Sequence, residues 1–369
     1  MWRFGLLFLF LISQHSFAQS FRSGKWGIEA NYQLGTFIKH SPKIIRVPHE
    51  LSHGFELVGF KKTLGEQNWQ KPLNFPEIGG SFSYFHFGDN KIFGDAYLIM
   101  AIAKFYAFRT KYVNGYVRIG GGFAALTKHY DYLTNPENNI VSSTINMAAQ
   151  FRIGLEWKAS PYSVINTAFT FSHFSNSSIK LPNFGINMAI ATVGIKVFPQ
   201  LKTLEYNCEK MKPLKKNEVI IKYSLGLQQA YGQNGPAYPV HVATILYSRY
   251  TSTANKVFGG FSFEYARAVH DFIVVQELDT KKNAKLKAFF PSIYVGDELM
   301  VGKVGMFLGL GVYVIKNNFV TSPIYIKAGG NYYFAETGKR KGIKFFVGTN
   351  VKSHLQVAQY WEFSTGACF

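Results

Sequence analysis

The sequence predicts an all-β protein: a transmembrane antiparallel β-barrel of eight strands, followed by a second eight-stranded barrel-like repeat. Three observations carry this. Short runs alternate apolar with small or polar residues, the period of a strand with one face in lipid and one in a packed lumen. Aromatics make up 17 % of residues, with 35 Phe and 22 Tyr, while charge is also only 17 %, a balance that suits aromatic belts at two membrane interfaces. Phe369 ends the chain on the parity of Trp361, Phe363, Thr365 and Ala367, so an aromatic closes the outward face of the last strand.

In chain order, Met1-Trp2-Arg3, the apolar run Phe4 to Ile12 and Ser16-Phe17-Ala18 predict a signal peptide over 1–18, and hence export. The apolar run is well short of the ~20 residues that a spanning helix needs. From Lys25, Trp26, Ile28, Ala30, Tyr32 and Leu34 share one face; Glu29, Asn31, Gln33 and Gly35 share the other. Similar runs follow near Phe55–Lys61, Gly79–Phe87, Asp95–Phe108 and Tyr112–Ala124. In the sixth, from Ile145 to Lys158, Phe151, Ile153 and Leu155 alternate with Gln150, Arg152 and Glu156. The stretch Ile165 to Val197 supplies two more, joined by a polar turn. Unpaired strand edges cannot be satisfied in lipid, so eight strands are expected to close. That places the first barrel over 19–200.

Residues 201–216 are Lys-rich and lack alternation, and read as a periplasmic linker. About eight further runs over 217–369 predict the second barrel, with one sixteen-stranded barrel as the alternative. They lie near Glu218–Gln229, Val240–Tyr250, Val257–Val269, Phe289–Val295, Val304–Val314, Ile324–Tyr333, Ile343–Ser353 and Tyr360–Phe369. The net charge of +19 suggests an anionic partner, or lysines and arginines gathered in turns and loops. Nucleic acid is disfavoured by the export signal. With only Cys208 and Cys368, no disulfide framework holds the fold.

The chemistry is concentrated in Ile165 to Val197. Ile165, Thr167, Phe169 and Phe171 form an apolar row that continues as His173 and Ser175. On the next run, Ala189, Ala191, Val193, Ile195 and Val197 form the apolar row that Asn187 begins. A chain that starts in the periplasm runs outward on odd strands, so His173, Ser175 and Asn187 are expected together at the outer leaflet. His and Ser two residues apart on one strand lie roughly 6–7 Å apart at their bases, close enough for the imidazole to serve the hydroxyl. The bland reading of H-x-S is a polar cap at the membrane interface.

His173-Phe174-Ser175-Asn176 followed by Pro182-Asn183-Phe184-Gly185-Ile186-Asn187 resembles the signature of PagL-type lipid A 3-O-deacylases. The resemblance implies an eight-stranded outer-membrane barrel of a Gram-negative bacterium, acting on lipopolysaccharide without metal or other cofactor. It assigns His173 as base and Ser175 as nucleophile, with Asn176, Asn183 and Gly185 as oxyanion or positioning residues. Asn187 stands where the family places a Glu, so slow hydrolysis through a His173–Ser175 dyad is expected. The alternative is a non-catalytic barrel with a lipid-binding, structural or transport role. In the second half, His354 and Glu362 fall on the inward parity and no Ser matches Ser175. His40, His49 and His53 flank the first loop without carboxylate or Cys spacing for a metal. Gly120-Gly121-Gly122 is read as a strand feature.

Overall fold

The structure, a computed structural model, describes residues 25–198 except Pro161, together with Tyr206 and residues 217–369 apart from 230–234, 316–318, 320–321, 337–341 and 355–356. The expected signal peptide and linker lie outside these residues, Tyr206 aside, as do Cys208 and Gln356. Cys368 is a buried, free thiol.

Eight strands form the first barrel: β1 (Trp26–Phe37), β2 (Ser52–Lys62), β3 (Glu77–His86), β4 (Asp95–Arg109), β5 (Val113–Leu126), β6 (Ile145–Lys158), β7 (Ser163–Ser175) and β8 (Ile186–Val197). Each pairs antiparallel with the next, and β1 closes on β8. The second closed barrel holds β9 (Asn217–Gln229), β10 (Ala237–Ser252), β11 (Asn255–Ala266), β12 (Phe289–Val301), β13 (Val304–Tyr313), β14 (Ile324–Glu336), β15 (Lys344–His354) and β16 (Val357–Cys368), with β16 closing on β9. The protein is therefore two eight-stranded barrels, not one of sixteen strands. Among the described residues, one compact unit comprises those within 25–66, 73–175 and 185–198 with Tyr206, and the other those within 67–72, 176–184 and 217–369.

Alternation in sequence becomes alternation in burial. On β1, Glu29, Asn31 and Gln33 are buried while Ile28, Tyr32 and Leu34 are exposed to the outside. The helical segment after β11 was not legible as such: the strand-like run to Val269 turns at Arg267 into α1 (Arg267–Val275), followed by α2 (Lys281–Lys287). There Arg267 pairs with Asp271 one turn on, an i, i+4 spacing hidden in RAVHDFIVV, and Ala268 and Ile273 are buried.

An eight-stranded barrel is just wide enough for side chains to fill its interior. In the first barrel those side chains form a charge-balanced network. Lys104 Nζ lies 2.7 Å from Glu29 and 2.8 Å from Glu156; Lys196 Nζ lies 2.8 Å from Glu156 and 2.7 Å from Glu77. Glu56 takes Arg118 at 2.6 Å and Arg152 at 2.8 Å. Asn31 donates to both Glu29 and Glu56, and Asn166 to Glu29. Four carboxylates (Glu29, Glu56, Glu77, Glu156) thus face four cations (Lys104, Arg118, Arg152, Lys196), all buried. The second lumen repeats the balance with Glu218, Glu264, Glu298 and Glu362 against Lys222, Lys256, Lys327 and Lys352. Balanced lumens add nothing to the net charge, so the surplus lies outside these two sets.

Above the ionic layer, the end of the first barrel where β7 stops is closed by aromatics. Phe37 packs edge-on against Phe87 and Phe93, with ring centroids 5.1 and 5.3 Å apart, and Phe87 lies 6.3 Å from Phe174. Phe174 points inward and is fully buried, which turns its neighbours His173 and Ser175 to the outward parity.

Removing one member of such a network strands its partners in low dielectric. Glu156→Ala leaves Lys104 and Lys196 each short of a carboxylate and is predicted to destabilise the first barrel by about 3–5 kcal/mol. Urea unfolding in detergent, followed by loss of heat-modifiable gel migration, measures this; an unchanged midpoint contradicts it.

Candidate active site

His173 and Asn187 are direct cross-strand partners on β7 and β8. The strands end there, and both side chains lie on the outward face. His173 Nδ1 is 2.6 Å from Asn187 Oδ1. A carbonyl oxygen only accepts, so this contact has Nδ1–H donating and leaves Nε2 with its lone pair. Asn187 is itself fixed through its backbone, because Ile38 N–H, just beyond β1, donates to its carbonyl at 2.8 Å.

Gly185 holds the other edge of the imidazole. Its φ is +79°, and a Cβ there would lie 2.7 Å from His173 Cε1 and 3.4 Å from Nε2. Any side chain would both strain the backbone and displace the ring. Its amide donates to the carbonyl of buried Ile140 at 3.0 Å, tying this turn to the loop between β5 and β6. Gly185 therefore packs its backbone against the ring edge, and its N–H is already engaged.

Ser175 is the last residue of β7, two positions beyond His173 on the same parity, paired across from Met147 and 4 % exposed. Asn176 and Asn183 form a turn of their own. Asn176 N–H donates to Asn183 Oδ1 at 3.2 Å, and its side-chain amide donates to Lys180 O at 2.9 Å. The structure thus joins His173 to Asn187 and Gly185, and Asn176 to Asn183.

Sequence reasoning passed over two outward features nearby. His40, considered only as a possible metal residue, places Nδ1 3.2 Å from Ile38 O, next to the strand that anchors Asn187. On β2–β4, His53, His86 and Asp95 form one cross-strand row. His86 Nδ1 is 2.8 Å from Asp95 Oδ1, and Tyr84 Oη donates to the same oxygen at 3.1 Å. Their spacing in sequence hides the row until register is known. Among the described residues, no group of three or more His, Cys, Asp or Glu could hold a metal ion.

In the second barrel His354 and Glu362 do face inward, but they do not partner each other. His354 Nε2 lies 3.3 Å from Tyr313 Oη, and Glu362 pairs with Lys327 at 2.5 Å. Both belong to the lumen packing.

The family model for lipid A 3-O-deacylase (PagL) matches residues 56–196, and that for the acyloxyacyl hydrolase C-terminal domain matches 217–369. Between them they cover well over half of the chain. The chain belongs to the PagL family. The first barrel is thus the PagL portion and the second the C-terminal domain that accompanies it. No match is found among curated proteins. Solved structures similar to the chain include Neisserial surface protein A, at 11 % identity and TM-score 0.32 over 47 % of this chain and 96 % of that one. The outer membrane enzyme PagL gives 13 % and 0.31 over 46 % and 98 %. Ail, the attachment invasion locus protein of Yersinia pestis, gives 17 % and 0.28 over 47 % and 97 %.

The tautomer is testable directly. Nitrogen-15 NMR of histidine-labelled protein in detergent should show His173 protonated at Nδ1, and Asn187→Ala should abolish that preference. A ring protonated at Nε2 in the unmutated protein contradicts the hydrogen bond.

Proposed function

We propose that the protein is an outer-membrane lipid A deacylase that hydrolyses an acyl ester of lipopolysaccharide. It is exported after loss of residues 1–18, and the 201–216 linker joins the catalytic barrel (19–200) to a second barrel (217–369) in which Gln356, not Ser, stands two residues after His354. The observation that carries this reading is the outward-facing His173–Asn187 pair beside Ser175. A polar hydrolytic group that faces lipid at a strand end meets esters near the headgroup, where lipid A carries them.

Ser175 Oγ attacks the ester carbonyl while His173 Nε2 takes its proton. The resulting imidazolium then protonates the departing sugar alkoxide, leaving Ser175 acylated. Water repeats the sequence: His173 takes its proton, the acyl carbonyl is attacked, and Ser175 leaves with the proton restored. Asn187 holds the ring through its oxygen but supplies no charge to offset the imidazolium, so turnover is slow. The Asn176 amide serves the oxyanion by exchanging Asn183 Oδ1 for the substrate oxygen. No metal or organic cofactor enters these steps.

One feature favours a second reading, a non-catalytic lipid-binding barrel: Asn187 in place of the family's Glu. A transport role is disfavoured by lumens filled with paired side chains.

Lipid A treated with the purified protein and analysed by mass spectrometry separates the two readings. Ser175→Ala is expected to abolish deacylation, and His173→Ala to slow it by about 10²–10⁴-fold. Asn187→Glu is expected to raise the rate about 5–10-fold, the ~1 kcal/mol by which a charge-assisted hydrogen bond exceeds a neutral one. Wild-type hydrolysis by Ser175→Ala removes the assigned nucleophile; an unchanged acylation pattern with unmutated protein selects the non-catalytic reading.

A further inference from the structure

Between β11 and β12 the second barrel carries a helical hairpin, α1 and α2. An even number of strands returns the chain to the side it left, so odd-numbered strands run outward in the second barrel too. β11 therefore ends at the outer surface, and the hairpin belongs to that end.

Aromatics mark the level at which it begins. On the outward parity of β11, Phe263 and Tyr265 stand opposite Pro291 and Phe289 of β12. The Phe263 and Phe289 rings stack with centroids 6.1 Å apart. Such girdles lie at the boundary between acyl chains and headgroups. One residue further, Ala266 N–H donates to Ala288 O at 3.0 Å and closes the base of the hairpin. The helices thus rise from headgroup level on a fixed root.

Their surface is both apolar and basic. Val275, Leu278 and Leu286 are 74 %, 56 % and 67 % exposed, although Ala268, Ile273, Ala284 and Ala288 already supply the buried side. Five cations stand against three acids over 267–288. Asp271 is taken by Arg267 at 2.8 Å and Asp279 by Lys287 at 2.7 Å. Among the described residues, Lys281, Lys282 and Lys285 enter no ion pair, and Glu277 is the acid left over. At 100° per residue, Lys282 and Leu286 lie one turn apart opposite buried Ala284, with Lys281 and Lys285 beside them. A solvated lysine face has no use for leucines, and a purely apolar insert has no use for lysines. A helix that carries both suits the surface of an anionic lipid layer.

We propose that the α1–α2 hairpin binds the phosphate groups of lipid A in the outer leaflet. Lys281, Lys282 and Lys285 meet the phosphates, while Val275, Leu278 and Leu286 seat among the adjoining acyl chains. The proposal rests on the outer-membrane lipid A reading for its ligand, but not on His173 or Ser175. It gives the second barrel a task of its own, the capture of phosphorylated lipid.

Thermophoresis of the full chain in detergent, titrated with bisphosphorylated lipid A, tests this. A Ser175→Ala background prevents turnover, and heat-modifiable gel migration verifies folding of each variant. Changing Lys281, Lys282 and Lys285 together to Gln should weaken binding about 100-fold at low salt, roughly fivefold per lysine. Arg at the same three positions should restore it. Leu278→Ser with Leu286→Ser should weaken it about tenfold or more. Lipid A stripped of its phosphates should bind the unmutated hairpin about as poorly as intact lipid A binds the triple Gln variant. Lys91→Gln with Lys128→Gln, exposed on outer loops of the first barrel, should leave affinity as it was. Affinity unmoved by the triple Gln variant or by phosphate removal overturns the proposal, as does an equal loss from the Lys91 and Lys128 changes. If unmutated protein binds lipid A through these lysines but leaves it intact, the hydrolytic reading fails and the binding surface stands. If lipid A is hydrolysed while the triple Gln variant binds it undiminished, the surface fails and the hydrolytic reading stands.

Discussion

The neutral ion network inside each barrel is what the rest of the structure depends on. In the first barrel every strand contributes to it: Glu29 from β1, Glu56 from β2, Glu77 from β3, Lys104 from β4, Arg118 from β5, Glu156 from β6, Asn166 from β7 and Lys196 from β8. A one-residue slip of any of the seven strands that carry a lumen charge turns that charge to the lipid, at ~2–4 kcal/mol for a Lys or Arg at the midplane, and strands its partners as well. Buried ion pairs are poor evidence of net stability, but they are effective at forbidding wrong registers. Register, in turn, decides which residues face out. The contact of His173 with Asn187 follows from that register, held on β8 by Lys196 and on β7 by the buried hydrogen bonds of Asn166.

A lumen this full leaves function to the outside. Both barrels are packed through, the first with ion pairs under an aromatic layer and the second with Lys–Glu pairs among tyrosines. The outward face carries what packing does not need: His173 and Asn187. Phe174 links the two, since its burial against Phe87 fixes the end of β7 and thereby the aim of the residues on either side of it. The lumen packing and the His173–Asn187 pair therefore occupy opposite parities of the same strands.

Much of this was legible in the sequence because period two reports directly on which side is lipid. The outward row of β1, the inward Arg152 and Glu156 of β6 and the shared end of β7 and β8 follow from parity and an even strand count. Two closed barrels could be expected on the first half's resemblance but not proved, since closure is a pairing of β1 with β8 and of β9 with β16. The strand expected to run to Val269 ends at Ala266, and helix α1 takes its last three residues, because Arg267-Ala268-Val269 alone satisfies either period. Gly185 was picked out by its motif, yet the reason it must be Gly lies in its φ and in the ring edge beside it. The engagement of its N–H by Ile140 depends on how a long loop folds back, for which no local pattern exists. The His53–His86–Asp95 row was invisible for the same reason that all cross-strand rows are: it needs register.

The central claim is that Ser175, two residues beyond His173 on the same parity of β7, is a nucleophile. An alkyl fluorophosphonate reacts covalently with such a serine and with few others. Peptide mass spectrometry of the folded, reconstituted protein should find a single adduct on Ser175, absent from His173→Ala and from heat-unfolded protein. Labelling that is absent from the native protein, or that persists undiminished in His173→Ala, would contradict the account.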